Sequence, residues 1–418
     1  MTNKVEVLDS LMGCGKTTAI IQWMRDNPHN NYIYISPRLS EVTERIPEGC
    51  PELDFQTPVT SNGFNKSQSM VELLKQGKNI ATTHALYQQL TQEHTDWVAL
   101  QGYVLVIDEE IDFISSYNKY STNDLLTLKH EDFINIDYDN GGRVEWLWED
   151  MKPNTAYEEL RSVCNLGMLY VTKSGKLADK DDENSHIENE MMVTHIPPKL
   201  IDVAERVVVL TYNYYGSIMD KFFSLRGYIS VPFTEVTLMK SESEVKAELS
   251  TLINFVDTPT TKKVRRWKMT KTWYEKTATR QNLDVIAKGI TSVGRKCNVL
   301  ADELMYTCPK SVVVSNSIKV KPRMKVERYP VDDCFLYTHC RATNDYRHKT
   351  TLVHAFDRHP NTAVERYLRD YGYPVDRDLF ALSEMLQWIF RSQIRDGKMI
   401  NICVMKDRME GLLRGWLY

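Results

Sequence analysis

Five short runs of β-branched and aromatic residues punctuate the first half of the chain: Val5 to Leu8, Tyr32 to Ile35, Asn79 to Thr82, Val104 to Ile107 and Val207 to Leu210. Tyr32 to Ile35, Val104 to Ile107 and Val207 to Leu210 are apolar throughout rather than alternating, and each run gives way to small or polar residues. That is the pattern of strands buried on both faces of a parallel sheet. Lys16 to Arg25 and Met70 to Gln76 lie between them with helical patterning. The alternation of strand and helix predicts an α/β fold, whose ligands bind at the carboxyl ends of the strands. From Asp112 to about Lys199 the alternation fails, which predicts an insertion at about 112–200 in a first domain, with Ala178 to Asn189 polar enough to be a loop. A second set begins after Arg226. Its clear members are Phe335 to Thr338, a helix from Leu382 to Arg395, a strand from Ile400 to Met405 and a closing helix from Arg408. The expected domains are therefore 1–226 and 227–418.

The 418 residues suit two domains of roughly 200 residues each, and 42% hydrophobic with 26% charged residues excludes a disordered chain. The longest apolar runs fall far short of the roughly 20 residues a membrane span needs, and no basic region followed by a long apolar stretch opens the chain. No membrane association is expected, and the location expected is the cytoplasm. Eight cysteines are scattered without a Cys-x-x-Cys or a paired histidine spacing, so they read as reduced thiols rather than a zinc site. The net charge of −4 hides an uneven distribution. Residues 108–190 hold 20 acidic against 8 basic residues, and residues 240–330 hold 19 basic against 9 acidic. The basic stretch is either a solvated face or a surface for a phosphate backbone.

Chemistry enters at the first strand end. Leu8-Asp9-Ser10-Leu11-Met12-Gly13-Cys14-Gly15-Lys16-Thr17-Thr18 runs from a strand through a glycine-containing loop into a helix. Such a loop turns backbone N–H groups toward a phosphate, the helix N-terminus adds partial positive charge, the lysine reaches the β and γ phosphates, and the threonine hydroxyl ligates Mg²⁺. The expected nucleotide contacts are Gly13, Cys14, Gly15, Lys16, Thr17 and Thr18, with Cys14 a packing residue. Ser10 stands where the pattern usually has glycine. The apolar strand ending in Asp108-Glu109-Glu110 supplies the complementary carboxylates: Asp108 for the metal, with Thr17, and Glu109 as general base toward the attacking water. Near the other end, Gln387, Arg391 and Arg395 are spaced four apart, which on one helix puts them on one face, with Gly397 as a cap. The arginines are candidates to stabilise charge on a transferring phosphoryl group.

The order of these motifs, together with Ser36-Pro37-Arg38, Thr82-Thr83-His84, Leu210-Thr211-Tyr212-Asn213 and Cys340-Arg341-Ala342-Thr343-Asn344, resembles superfamily 2 helicases. The likeness is to the DEAD/DEAH-box-like helicases encoded by bacteriophages and, more distantly, to herpesvirus origin-binding helicases. It covers nearly the whole chain, and the segment Ala381 to Gly397 is its most specific part. The resemblance implies two RecA-like P-loop domains that hydrolyse ATP with Mg²⁺ and step along a nucleic acid, single-stranded or forked DNA before RNA, in phage replication or recombination, with phage replication proteins as possible partners. It implies strand contacts for Ser36, Pro37, Arg38, Thr82, Thr83, His84, Arg341, Thr343 and Asn344, and a coupling role for Thr211. Lys16, Asp108, Glu109, Gln387, Arg391 and Arg395 would be catalytic. Many family members carry their second arginine seven places after the glutamine, where this chain has Ile394, so Arg391 is the better match. Two other readings share part of this pattern: a DNA-packaging ATPase, and a helicase-fold nucleic-acid-binding or anti-defence protein that does not unwind.

Overall fold

All five apolar runs form strands. Four extend one residue beyond the expected limits at each end, as β1 (Lys4–Asp9), β2 (Asn31–Ser36), β4 (Tyr103–Asp108) and β10 (Arg206–Thr211), and the fifth is displaced by one residue as β3 (Ile80–Thr83). With β11 (Ile229–Pro232) they make a six-stranded sheet in the order β11-β1-β10-β4-β2-β3, every pair parallel. Val104 to Ile107 and Val207 to Leu210 are buried throughout, as strands covered on both faces must be. The structure is a computed structural model and describes residues 3–60, 63–148, 156–173, 191–315, 322–338 and 345–418.

The chain divides into two units. The first comprises Met1–Asp9, Ile21–Glu235 and Pro360–Asp376; the second comprises Ser10–Ile20, Val236–His359 and Arg377–Tyr418. The sequence assigns 227–418 to one second domain. In the structure 227–235 and 360–376 pack with the first unit instead, and the glycine loop packs with the second. The helix Thr362–Asp370 explains part of this, because its buried stripe of Ala363, Val364, Tyr367 and Leu368 joins the apolar core of the first unit. Tyr367 Oη donates to the Gly141 carbonyl at 2.8 Å, and Asn361 Nδ2 donates to Ser116 Oγ at 3.1 Å.

The expected insertion is a folded element of the first unit. Between β4 and β10 the strands β5 (Ile114–Ser116), β6 (Ile134–Asp137), β7 (Arg143–Trp146), β8 (Leu169–Val171) and β9 (Met192–His195) form an antiparallel sheet in the order β5-β9-β8-β7-β6. Leu125, Leu128, Ile134, Val144, Leu160 and Leu169 give it an apolar core of its own. The segment Ala178 to Asn189 lies outside the described residues.

In the second unit β12 (Ile253–Phe255), β13 (Leu304–Thr307), β14 (Thr351–His354) and β15 (Ile400–Val404) form a parallel sheet in the order β12-β15-β14-β13. The helix Arg280–Lys296 adds Leu283, Ile286, Ile290 and Val293 to the core of this unit. Phe335 to Thr338 is not a strand: Phe335 makes one isolated bridge to Tyr306. The helix expected over Leu382 to Arg395 is Arg377–Ile389, and a separate 3-10 turn occupies Gln393–Asp396. Ser392 causes the break. Its backbone is extended, its hydroxyl donates to the Ile389 carbonyl at 2.7 Å, and the same oxygen accepts the Ile394 N–H at 3.5 Å. A serine that satisfies neighbouring backbone groups in this way competes with continuation of the helix.

Candidate nucleotide site

The register of the six-stranded sheet gathers the sequence motifs along one edge. Asp9 pairs with Thr211 across β1 and β10, and Leu210 pairs with Asp108 across β10 and β4. Ile35 pairs with Ile107 across β2 and β4, and Ser36 pairs with Thr83 across β2 and β3. Asp9, Thr211, Asp108, Ser36 and Thr83 therefore close five neighbouring parallel strands at their carboxyl ends, where α/β sheets bind ligands. The chain enters the glycine loop directly from Asp9.

Within that loop, Gly13 and Gly15 have φ of 91° and 90°, a backbone region that a residue with a Cβ rarely adopts. The Lys16 ammonium donates to the Ser10 and Leu11 carbonyls, the latter at 3.3 Å. Thr17 is half-buried and Thr18 exposed at the start of the helix Lys16–Asp26. Cys14 is fully buried, in keeping with packing, and its carbonyl accepts the Met239 N–H at 3.0 Å. The Met239 side chain also lies against Gly15: a Cβ on Gly15 would be 2.9 Å from Met239 Cγ and 3.0 Å from its sulfur. Phe390 approaches from the far end of the chain, its Cε1 3.9 Å from the Cβ position of Gly13. Neither contact is legible in sequence, where Met239 and Phe390 are apolar residues with no spacing that ties them to the loop.

The two acidic residues at the end of β4 differ in setting. Asp108 receives the Ser36 hydroxyl at 3.4 Å, and its backbone carbonyl is 2.9 Å from His84 Nε2. Burial pushes the phenol of Tyr34 well above its ordinary range, and the charge of Asp108 adds to the shift. Tyr34 lies two residues before Ser36 on the same face of β2, so strand alternation could have nominated it as a neighbour of this edge. Glu109 has a left-handed backbone with φ of 62°, and its N–H donates to the Leu210 carbonyl at 2.8 Å. Its carboxylate is 3.8 Å from Arg38 Nη2, while Arg38 Nη1 is 3.9 Å from Glu41. The Ser36-Pro37-Arg38 turn thus touches both acidic residues. Thr82 and Thr211 are buried, and Thr83 begins a short helical turn at His84–Tyr87 without a side-chain cap.

The arginine candidates do not share one helix face. Gln387 is half-buried on the helix Arg377–Ile389, Arg391 is buried beyond its end, and Arg395 is exposed on the 3-10 turn. Gly397 caps that turn rather than the helix, donating to the Gln393 and Ile394 carbonyls. Arg341, Thr343 and Asn344 lie outside the described residues. Among the described residues no group of three or more His, Cys, Asp or Glu is arranged to hold a metal ion, and no helix is long and apolar enough to cross a membrane.

Comparison with known proteins agrees with this architecture. Over 99% of its length the chain aligns with the solved structure "XPD_APO", covering 96% of that chain at a TM-score of 0.51 and 12% identity. A second structure, "XPD_Helicase", aligns at a TM-score of 0.45 and 10% identity, over 99% of this chain and 95% of that one. The first alignment shows a shared fold, an α/β architecture with parallel sheets. In sequence, the chain is 29% identical over 433 residues to the SPbeta prophage-derived uncharacterized protein YonV of Bacillus subtilis (strain 168), covering 99% of this chain and 98% of that protein. Residues 247–417 match the family model described as the YonV C-terminal Rossmann-like domain.

Proposed function

We propose that this protein is an ATP-dependent nucleic-acid translocase or helicase of the superfamily 2 type, acting on DNA in phage replication or recombination. The observation that carries the reading is the row of Asp9, Thr211, Asp108, Ser36 and Thr83 along one carboxyl edge, with a phosphate-type loop leaving that edge at Asp9. The helicase-type fold supports nucleic acid as the partner, and the likeness to a prophage-derived protein supports the phage setting.

In this reading the N–H groups of the Gly13 to Thr18 loop and the Lys16 ammonium hold the phosphates of ATP, and Glu109 takes the proton of the attacking water. The Thr17 hydroxyl and the Asp108 carboxylate are oxygen donors of the kind Mg²⁺ takes, and an ion that draws its other ligands from phosphate and water needs no larger protein cage. Bound there, Mg²⁺ would neutralise phosphate charge. Arg391 is the candidate to stabilise charge on the transferring group, with Gln387 and Arg395 in support. Ser36, Pro37, Arg38, Thr82, Thr83, His84, Arg341, Thr343 and Asn344 would face the strand, whose backbone contacts position without reading sequence. Thr211, at the end of the strand between β1 and β4, would couple turnover to movement.

The test is ATP turnover with and without a single-stranded DNA oligonucleotide. Wild-type protein should be stimulated by the strand. Lys16→Ala should lose nucleotide binding and turnover, whereas Glu109→Gln should bind ATP and fail to hydrolyse it. Full turnover in either variant would remove the site assignment, and strand-stimulated turnover without strand displacement would restrict the function to translocation.

A further inference from the structure

Arg38 was expected to face a strand, yet its guanidinium stands between two carboxylates, 3.8 Å from Glu109 and 3.9 Å from Glu41. The two are not equivalent. Glu41 has a second cation, Arg45, at 3.1 Å, and would stay paired if Arg38 left. Glu109 has its backbone held by the bond to Leu210, so its side chain is the part free to respond. The side chains of Arg38 and Glu109 are 16% and 29% exposed, so both are within reach of solvent and of a ligand. At 3.8 Å the pair is an ion pair without a close hydrogen bond, of a strength that a stronger acceptor can displace. A phosphodiester is such an acceptor, because it offers a full negative charge and two oxygens matched to the guanidinium fork.

We propose that Arg38 is a positioning residue that restrains the Glu109 carboxylate until a backbone phosphate of the bound strand takes the guanidinium in its place. This rests on the ATPase reading above and adds to it the means by which the strand controls turnover. With Arg38 drawn away, Glu109 accepts a proton from water, the water oxygen forms the new bond to the γ-phosphorus, and the bond from that phosphorus to the bridging oxygen breaks to release ADP. Ser36 links the same turn to Asp108, since its oxygen accepts the Arg38 N–H at 3.3 Å while its hydroxyl reaches the Asp108 carboxylate. Movement of the turn under a strand would therefore be felt at both acidic residues.

The experiment measures ATP turnover of the full chain against the concentration of a single-stranded DNA oligonucleotide, in wild type, Arg38→Ala and Arg38→Gln. The glutamine variant retains length and polarity, so the charge can be judged even if the alanine variant folds poorly. Loss of the restraint should raise strand-free turnover about fivefold or more and bring the stimulation ratio down to about two or less. Strand-free turnover at the wild-type level, with stimulation intact or merely shifted to higher oligonucleotide concentration, would make Arg38 an ordinary strand contact and overturn the proposal. A fall in both strand-free and stimulated turnover would overturn it too, since the arginine would then assist Glu109 instead of restraining it. The two readings fail separately. Absence of ATP turnover in wild type removes the parent function, whereas a strand-stimulated wild type with unchanged gating in both variants removes only the role of Arg38.

Discussion

Phe390 Cε1 stands 3.9 Å from the point where a Cβ on Gly13 would lie. Two residues from opposite ends of the chain are thereby neighbours within one unit, and the residue after Phe390 is the buried Arg391. The turn that carries the candidate arginine packs on the candidate phosphate loop, which gives substitutions at both places a shared readout in nucleotide binding and turnover.

Replacement of either loop glycine by alanine should weaken nucleotide binding, and not equally. Gly13→Ala meets only an ordinary contact with Phe390, so its cost is that of a left-handed backbone, about 1–2 kcal/mol, or roughly tenfold in affinity. Gly15→Ala bears the same strain and also collides with Met239. Titration with a fluorescent ATP analogue should rank Gly15→Ala below Gly13→Ala. Adding Met239→Ala should recover part of the loss for Gly15→Ala and none for Gly13→Ala.

Arg391→Lys retains the charge but removes the planar fork. If Arg391 stabilises the transferring phosphoryl group, the lysine variant should bind ATP within about threefold of wild type and turn over about a hundredfold more slowly. Equal losses in binding and turnover would point to packing instead. Ser392→Ala offers a second approach to the same turn. Without the hydroxyl that ends the helix at Ile389, stability should fall by about 1 kcal/mol. Turnover should fall as well, because the backbone beside Arg391 loses its extended form.

His354 should make the second unit sensitive to acid. It is fully buried, neither ring nitrogen has a hydrogen-bond partner among the described residues, and burial, with the nearby Arg358 charge, lowers its pKa from 6.5 to about 3. Between those values the unfolded chain binds a proton that the folded one refuses. Its contribution to stability is therefore complete above pH 6.5 and is lost as pH falls toward 3, at up to about 1.4 kcal/mol per pH unit. Urea midpoints measured at pH 7 and pH 5 should converge in His354→Leu relative to wild type. An unchanged difference between the two pH values would show that acid acts elsewhere.

Thiol reactivity should single out Cys297. Of the seven described cysteines it alone is half-exposed and the other six are buried. Burial pushes Cys164 and Cys403 up to about 12, and Cys50 and Cys334 up to about 11, which leaves almost no thiolate near neutral pH. Brief iodoacetamide treatment of native protein followed by peptide mass spectrometry should find Cys297 modified before those four. Early labelling of Cys164 or Cys403 would show that the core around them opens readily.

The apolar runs determined five of the six strands of the first sheet almost to the residue, because a strand covered on both faces is rich in Val, Ile, Leu and aromatic residues wherever the chain later takes it, whereas the edge strand β11 is partly exposed and carries no such run. The glycine loop and the Asp108-Glu109 pair stood out for a related reason: the phosphate site proposed for them is a pattern of particular residues at fixed local spacing. The short elements of the second unit were harder to read. β13 and β14 did not stand out, and Phe335 to Thr338 looked like a strand and is not one, since so few residues carry little periodicity. Only the tertiary structure decided that Pro360–Asp376 returns to the first unit, where partners distant in sequence cover the buried stripe of its helix. It also decided that Ser392 divides the arginine segment, through a hydrogen-bond competition that periodicity does not record. The same holds for Arg38, whose position in a turn said that it was charged and accessible. That its counter-charge is Glu109, 71 positions away, is set by the strand register, which aligns the ends of β2 and β4 at one edge of the sheet.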